Sequence, residues 1–381
     1  MNNDQQYTAL SQKEFDALMK LDMSPGEAVD YFYHTLNIRK FNEVLALFAQ
    51  NKIPEGKNLV SFLTDKLCEY TPDSIRDSVR RKISNWVNGI SEPENREDWI
   101  KICFALELDD ESAQKFMKHS TEGGFHLRNP REITFLYCLR KNARRDYPEA
   151  CALIESVNAD GVKAPERDES QEAFTFTQLV SDSFNAVHDD NSFKKFCLEN
   201  LENFGHLHNT AYNYFKQYFS LLTSPDTLYS EADKKISIEQ AVDDYLRMKI
   251  PMDRSTKRYN ALQKVIKNFW PDATAITRIL NRTNDVTRKL MLLLYVVTEG
   301  VSSTDENDLY MEDLTAEEAL VENVTFLNLR LNSWGMSALD PRNPFDWLIL
   351  YSLRVDEEDA DDNNAFMSSR LENVLNILFN E

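Results

Sequence analysis

The sequence predicts an all-α protein with two related helical modules and a helical middle segment between them. Glycine is scarce, with 9 among 381 residues, which leaves few of the tight hairpin turns that β sandwiches and barrels need. Apolar residues recur at a period near 3.6 along most of the chain, the pattern of amphipathic helices. A thirteen-residue segment also occurs in two similar copies, which are identical at seven positions. These observations predict helices throughout and an internal duplication.

Helix start signals and composition divide the chain into segments. Ser11 with Glu14 and Ser24 with Glu27 have the spacing of a capping box, which predicts two helices within a helical lead-in over residues 1–56. The stretch "NADGVKAPERDESQE" combines Gly, Pro and charge with little apolar content, as linkers do. After the lead-in, the predicted segments are a first module over 57–157, the linker over 158–172, a helical middle segment over 173–235 and a second module over 236–381.

The duplicated segment reads "RNPREITFLYCLR" over residues 128–140 and "RNPFDWLILYSLR" over residues 342–354. In both copies an Asn stands before a Pro, which predicts a helix start, because Asn is a favoured N-cap and Pro is tolerated at the first helical position. An apolar stripe with a Tyr follows each cap. Taken alone, the segment predicts a capped helix that packs in a core.

Longer similarity extends upstream of each copy. The first copy follows "ISNWVNG" and "EPENREDWIKICFALEL", and the second follows "ITRILNRTNDVTRKLMLLLYVV". The first pattern resembles the λ-repressor-like (XRE-type) helix-turn-helix domain over about 57–157, and the second resembles it more weakly over about 236–300. The resemblance implies a third helix that lies in the major groove of DNA. It places the preceding turn near Asp77 and Ser78 in the first module, and at Trp270 and Pro271 in the second.

The resemblance also implies a set of DNA-contacting residues in each module. In the first, the third helix covers about 80–88, and we expect Ile83, Trp86 and Val87 to face the core. The outward residues are then Arg80, Arg81, Lys82, Ser84 and Asn85. In the second module the outward residues are Thr274, Thr277, Arg278 and Arg282. Arginine suits guanine and asparagine suits adenine, Lys82 could reach a phosphate, and nearby positive charge comes from Arg254, Lys257, Arg258, Lys264 and Lys267.

Charge is unevenly distributed along the chain. The net charge is −20, which repels nucleic acid on average and requires a local basic patch for any DNA role. Residues 251–300 hold 9 bases and 4 acids, a net charge of +5, whereas residues 301–381 hold 18 acids and 4 bases, a net charge of −14. The stretch 302–322 is predicted to be an acidic loop that runs into a helix, and the stretch 355–365 is predicted to be a second acidic loop. The acidic C-terminal region could shield the basic region, contact a partner protein or mimic nucleic acid.

Two classes of function therefore stay open. One is a cytoplasmic DNA-binding transcriptional regulator or sensor that binds double-stranded DNA through its helix-turn-helix modules. The other is a non-catalytic protein–protein interaction scaffold whose helix-turn-helix cores no longer bind DNA. The first module favours neither, since residues 57–118 hold 10 bases and 12 acids, a net charge of −2.

Catalysis, cofactors and membrane insertion are not predicted. The chain has no GxGxxG, GxxxxGK[ST], GxSxG or HExxH motif, and His206 and His208 are too few ligands for a zinc site. Five cysteines without a CxxC indicate reduced thiols, and "MNNDQQYTAL" lacks the features of a signal peptide, so we expect a cytoplasmic protein. The longest apolar run, "LMLLLYVV", is too short to span a membrane.

Overall fold

The structure is a computed structural model of the chain. It describes residues 3–20, 23–93, 95–119, 124–127, 129–158, 180, 182–200, 204, 209–224, 236–253, 258–300, 314–354 and 366–380. These residues are mostly helical and include no strand, so the predicted all-α class is confirmed. Within the same ranges, no helix combines the length and the apolar character needed to cross a membrane.

The chain folds as two compact units. The central unit is Arg39–His206, and the terminal unit joins Met1–Ile38 to Leu207–Glu381. These units divide two of the segments predicted from the sequence. The lead-in over 1–56 is split after residue 38, and the middle segment over 173–235 is split after residue 206. Linker residues 159–172 lie outside the described residues.

Helices are numbered here in chain order. Those of the terminal unit are α1 (Asn3–Lys20), α2 (Pro25–His34), α11 (Asn209–Thr223), α12 (Ile238–Ala241, continued by a π-helical turn over Val242–Leu246), α13 (Ala261–Lys267), α14 (Ala273–Leu280), α15 (Arg288–Val297), α16 (Ala316–Ser333), α17 (Pro344–Ser352) and α18 (Met367–Asn380). Those of the central unit are α3 (Phe41–Phe48), α4 (Leu59–Tyr70), α5 (Arg76–Val87), α6 (Arg96–Ala105), α7 (Asp110–Met117), α8 (Pro130–Leu139), α9 (Tyr147–Asn158) and α10 (Asp190–Glu199).

Each unit has its own hydrophobic core. In the central unit, the ring of Phe41 packs edge-on to Trp99 at 4.7 Å between centroids, and Trp99 contacts Phe116 at 5.1 Å. In the terminal unit, Trp347 of α17 is fully buried and packs on Tyr31 and Phe32 of α2. Aromatic pairs of this kind add directional contacts to the burial of apolar area, and they fix how the helices pack.

Most of the predicted helix starts are present. Ser24 and Glu27 form the predicted capping box at the start of α2, and Asn129 and Asn343 cap α8 and α17 as predicted. The predicted start at Ser11 is wrong, because α1 runs through it from Asn3 to Lys20. Glu14 instead accepts a hydrogen bond from the Tyr31 hydroxyl at 2.8 Å. This contact between two helices lies outside what a local capping pattern can predict.

Helices in both units end in the same C-terminal motif. The helices α5, α6, α14 and α15 each end in a Schellman motif: the residue after the cap has positive φ, and the following N–H donates back into the last turn. In α5 that residue is Gly89, with φ of 68°, and Ile90 N donates to Asn85 O at 2.8 Å. In α14 it is Arg282, with φ of 57°, and Thr283 N donates to Arg278 O at 2.9 Å. The two helices therefore stop in the same way despite different residues.

Candidate nucleic-acid interface

The helix α5 begins earlier than the sequence predicted. It starts at Arg76, so Asp77 and Ser78 lie in its first turn and not in the turn before it. The turn that joins α4 to α5 covers residues 71–75. Within it, the Ser74 hydroxyl donates to Thr71 O at 2.6 Å, and the Thr71 hydroxyl donates to Leu67 O at 2.6 Å. These bonds satisfy the backbone between two adjacent, closely packed helices.

One side of α5 is fixed in the core as predicted. Ile83 and Trp86 are buried, and Val87 is half-buried against the same cluster. Lys82 is exposed, as its predicted outward position requires, but its side chain also has a partner within the central unit. Its Nζ pairs with Asp98 Oδ2 of α6 at 2.6 Å and lies 5.1 Å from the centroid of the Trp86 ring. Lys82 thus holds α5 against α6, and it could reach a phosphate only by giving up this ion pair.

The other side of α5 is uncovered. Arg80 and Arg81 are exposed, and the structure shows no hydrogen bond or ion pair from either side chain to the residues it describes. Ser84 and Asn85 are half-buried beside them. The Ser84 hydroxyl accepts a hydrogen bond from Asn88 Nδ2 at 3.1 Å. A polar surface with two unpaired guanidinium groups remains along this helix.

The same surface contains two residues that the sequence reasoning missed. Asp77 and Asn88 are both exposed, and they stand four residues before Arg81 and four residues after Ser84. That spacing places them on the same helix face. Asparagine can pair with adenine and aspartate can accept from cytosine, so both belong to the candidate interface. The i, i+4 spacing was the signal that could have found them.

In the terminal unit, three of the four predicted residues face solvent. Thr274, Thr277 and Arg278 are exposed on α14, opposite the buried Ile276 and Ile279. The prediction for Arg282 is corrected, because it is half-buried and its guanidinium carbon lies 3.4 Å from the centroid of the Tyr212 ring. This stacking, together with its position in the Schellman motif, makes Arg282 part of the end of the helix.

The basic region around α14 is partly neutralised within the unit. Lys267 Nζ donates to Asp253 Oδ1 at 2.6 Å, and this bond holds the pKa of the Asp253 carboxyl below its usual range. Arg258 also pairs with Asp253, at 3.4 Å. Lys264 and Arg278 are exposed, without an ion pair to the residues described. Arg254 and Lys257 lie outside the described residues.

A buried ion pair in the central unit joins α6 to α8. Arg96, the first residue of α6, binds the Glu132 carboxylate with both Nε and Nη2, at 2.6 and 2.8 Å. The backbone N–H of His126 donates to the same carboxylate at 2.8 Å. Burial raises the pKa of Glu132, but the hydrogen bonds and charge of Arg96, with His126, outweigh burial and hold the pKa below its usual range.

The terminal unit contains the same arrangement. Arg288, the first residue of α15, binds the Asp346 carboxylate of α17 with Nη1 and Nη2, at 2.6 and 2.9 Å. The N–H of Asp340 donates to that carboxylate at 2.9 Å, and Asp340 stands six residues before Asp346 just as His126 stands six before Glu132. The repeated segment thus supplies the carboxylate partner of an arginine in each unit.

The described residues provide no metal site, and the comparisons with known proteins identify no family. Among the residues it describes, no group of three or more His, Cys, Asp or Glu side chains could hold a metal ion, and His206 and His208 lie outside those residues. No family model, no curated protein and no solved structure matches the chain.

Proposed function

We propose that the chain is a DNA-binding regulator that contacts double-stranded DNA through the outward face of α5. The observation that carries the proposal is the pair of exposed side chains, Arg80 and Arg81, without partners among the described residues. Unpaired guanidinium groups cost little to bring to a phosphate or to the edge of a guanine. Ser84 and Asn85 then lie beside them for base-edge contacts.

Rigid support of α5 favours the same proposal. Buried Ile83 and Trp86 and the Lys82–Asp98 ion pair hold the helix from its inner side. A recognition helix held in this way loses little conformational freedom on binding. In the terminal unit, Thr274, Thr277, Arg278 and Lys264 offer a second and weaker candidate surface, since other basic residues there are already paired.

A specific observation favours the second candidate function, a protein–protein interaction scaffold. Ile75 and Ile90, which flank α5, are 73% and 70% exposed. An exposed aliphatic side chain at each end of the helix could serve as an apolar anchor for a partner protein. The same helix could therefore dock on a protein, with its arginines at the polar rim.

Selection of random duplex DNA on the purified full chain, at low and near-physiological salt, tests the proposal. We expect a recovered motif whose binding Arg81→Ala weakens by about 1–3 kcal/mol if Arg81 contacts a base. Arg278→Ala measures the contribution of the terminal unit. Lys118→Ala is the matched control, since it removes one exposed positive charge directly after α7 of the same unit.

Salt dependence separates the two candidate functions. Each phosphate contact lowers the slope of log affinity against log salt by about 0.9 for duplex DNA, whereas apolar docking is nearly independent of salt. An Arg80→Ala variant with a shallower slope would identify Arg80 as a phosphate contact. Failure to recover any sequence at either salt would reject the regulator and favour the scaffold.

A further inference from the structure

The terminal unit carries an open groove between the end of α1 and the first half of α16. Met19, Leu314 and Val321 provide its apolar lining, and Leu314 and Val321 are 36% and 43% exposed. The other lining residues are all acidic, and they are Glu317, Glu318 and Glu322. The cavity measures about 380 Å³. A groove that combines apolar side chains with three negatively charged carboxylates is suited to a partner that is both apolar and basic.

The fold of the terminal unit uses only one of these carboxylates. Glu318 completes the capping box at the start of α16 with Thr315. Glu317 and Glu322 are exposed, and neither pairs with a residue that the structure describes. Glu317 lies in the first turn of α16, where the helix dipole favours a negative charge, but neither carboxylate beside exposed Val321 is neutralised by a cation among the described residues. An incoming positive charge would be attracted by both.

A complementary element lies in the central unit of the same sequence. The helix α5, Arg76–Val87, holds four basic residues and one acidic residue, a net charge of +3. Ile75, directly before it, is the large apolar side chain with 73% exposure. Arg80 and Arg81 extend from the helix without partners among the described residues. The exposed Ile75 is thus complementary to the apolar side chains of the groove. Arg80 and Arg81 are complementary to its carboxylates.

We propose that the groove between α1 and α16 binds the α5 face of a second copy of the chain. Docking would bury Ile75 against Met19, Leu314 or Val321, and would bring Arg80 and Arg81 to Glu317 and Glu322. An amphipathic helix in an apolar groove is a recurrent mode of protein recognition, and the charges on the two sides set the orientation.

The geometry of this association is heterologous, because the groove and α5 are different surfaces. Such contacts join copies head to tail, and they continue beyond a dimer unless the rotation closes a ring. The association also occupies the arginines that the proposed DNA contact needs. DNA and self-association would then exclude each other at α5, although the self-association itself requires no DNA.

Sedimentation of the full chain without DNA tests the proposal. We expect the weight-average mass to rise with protein concentration at about 50 mM salt and to fall to that of the monomer at about 500 mM salt, because screening weakens exposed charge pairs. The double variants Glu317→Lys/Glu322→Lys and Arg80→Glu/Arg81→Glu should each remain monomeric at low salt. Mixing the two variants should restore association, since each then meets a partner of opposite charge.

The matched control is Glu239→Lys/Asp244→Lys, which makes the same change of net charge on exposed positions of the terminal unit outside the groove. It should associate as the wild type does. Circular dichroism would show that the variants are folded. A wild-type chain that is monomeric at low salt, or a mixture that stays monomeric, would overturn the proposal and leave the groove to a basic segment of another protein. Neither result bears on DNA binding, which Glu317→Lys/Glu322→Lys leaves intact on α5.

Discussion

The buried pair between Arg96 and Glu132 should be the most consequential polar contact of the central unit. Both side chains are largely buried, with 15% and 7% exposure. Arg96→Met leaves the carboxylate buried without its partner, and we expect a loss of about 3–5 kcal/mol in the free energy of unfolding. Urea denaturation measures the loss. Adding Glu132→Gln should recover part of it, because the uncompensated charge is removed.

Arg76→Met provides the control for that measurement. Arg76 also pairs with a carboxylate, that of Asp65, but both side chains are well exposed. Exposed pairs contribute little because water and salt screen them. The control should therefore unfold like the wild type. Equal losses from Arg76→Met and Arg96→Met would contradict the role of burial.

Glu132 should also contribute to the loss of unfolding free energy at acidic pH. Its pKa lies below the usual range in the folded chain, so the folded chain holds the proton less tightly than the unfolded chain. The resulting stability is complete above the unfolded pKa of about 4.3 and is lost as the pH falls through the lower folded pKa. In Glu132→Gln, the free energy of unfolding should fall less steeply with decreasing pH below about 5.

The comparison needs urea curves at several pH values for both proteins. Glu155→Gln, which removes an exposed carboxylate of α9, is the matched control and should follow the wild-type curve. If the unfolding free energy of Glu132→Gln falls with decreasing pH as steeply as that of the wild type, this carboxylate does not cause the loss of stability in acid.

At the scale of the helix, the end of α5 depends on a glycine. Gly89 has φ of 68°, and a Cβ there would meet the Asn42 side chain at 3.1 Å. Gly89→Ala should therefore lower the free energy of unfolding by about 1–2 kcal/mol. Gly26→Ala should do the opposite, by about 0.4–1 kcal/mol, because Gly26 lies inside α2 with nothing within 4 Å of the added atom. Thermal unfolding should show a lower midpoint temperature for Gly89→Ala and a higher one for Gly26→Ala than for the wild type. Shifts in the same direction would contradict the roles given to these two glycines.

Local signals in the sequence predicted the helices well and their partners poorly. The caps at Ser24, Asn129 and Asn343 follow from residues within one turn of each other. The clamp from Arg96 to Glu132 joins residues 36 apart, and no spacing rule connects them. The same holds for Arg282, whose predicted outward position gave way to Tyr212, a residue 70 positions earlier. In the candidate interface, the sequence therefore predicted which residues of α5 face the core and which face outward. It did not predict that Lys82 pairs with Asp98.

At the scale of the whole molecule, the repeated segment supplies the carboxylate of an arginine–carboxylate clamp in each unit. Each unit carries an arginine at the start of one helix and a carboxylate at the third position of a second helix that begins Asn-Pro. The described parts of the two units differ in their surfaces, since α5 keeps the unpaired Arg80 and Arg81, whereas Arg258 and Lys267 in the basic region near α14 both pair with Asp253.

The two units should also unfold in separate steps. Their buried apolar residues form two clusters, one within each unit, so each has a core that can be lost alone. Calorimetry of the wild type should then require two transitions. Arg96→Met should lower only the transition of the central unit, by about 2–4 °C for each kcal/mol lost, and Arg288→Met should lower only that of the terminal unit. Each variant is the control for the other. If either one shifts both transitions equally, the units unfold as one cooperative body, and the clamps then stabilise the whole chain.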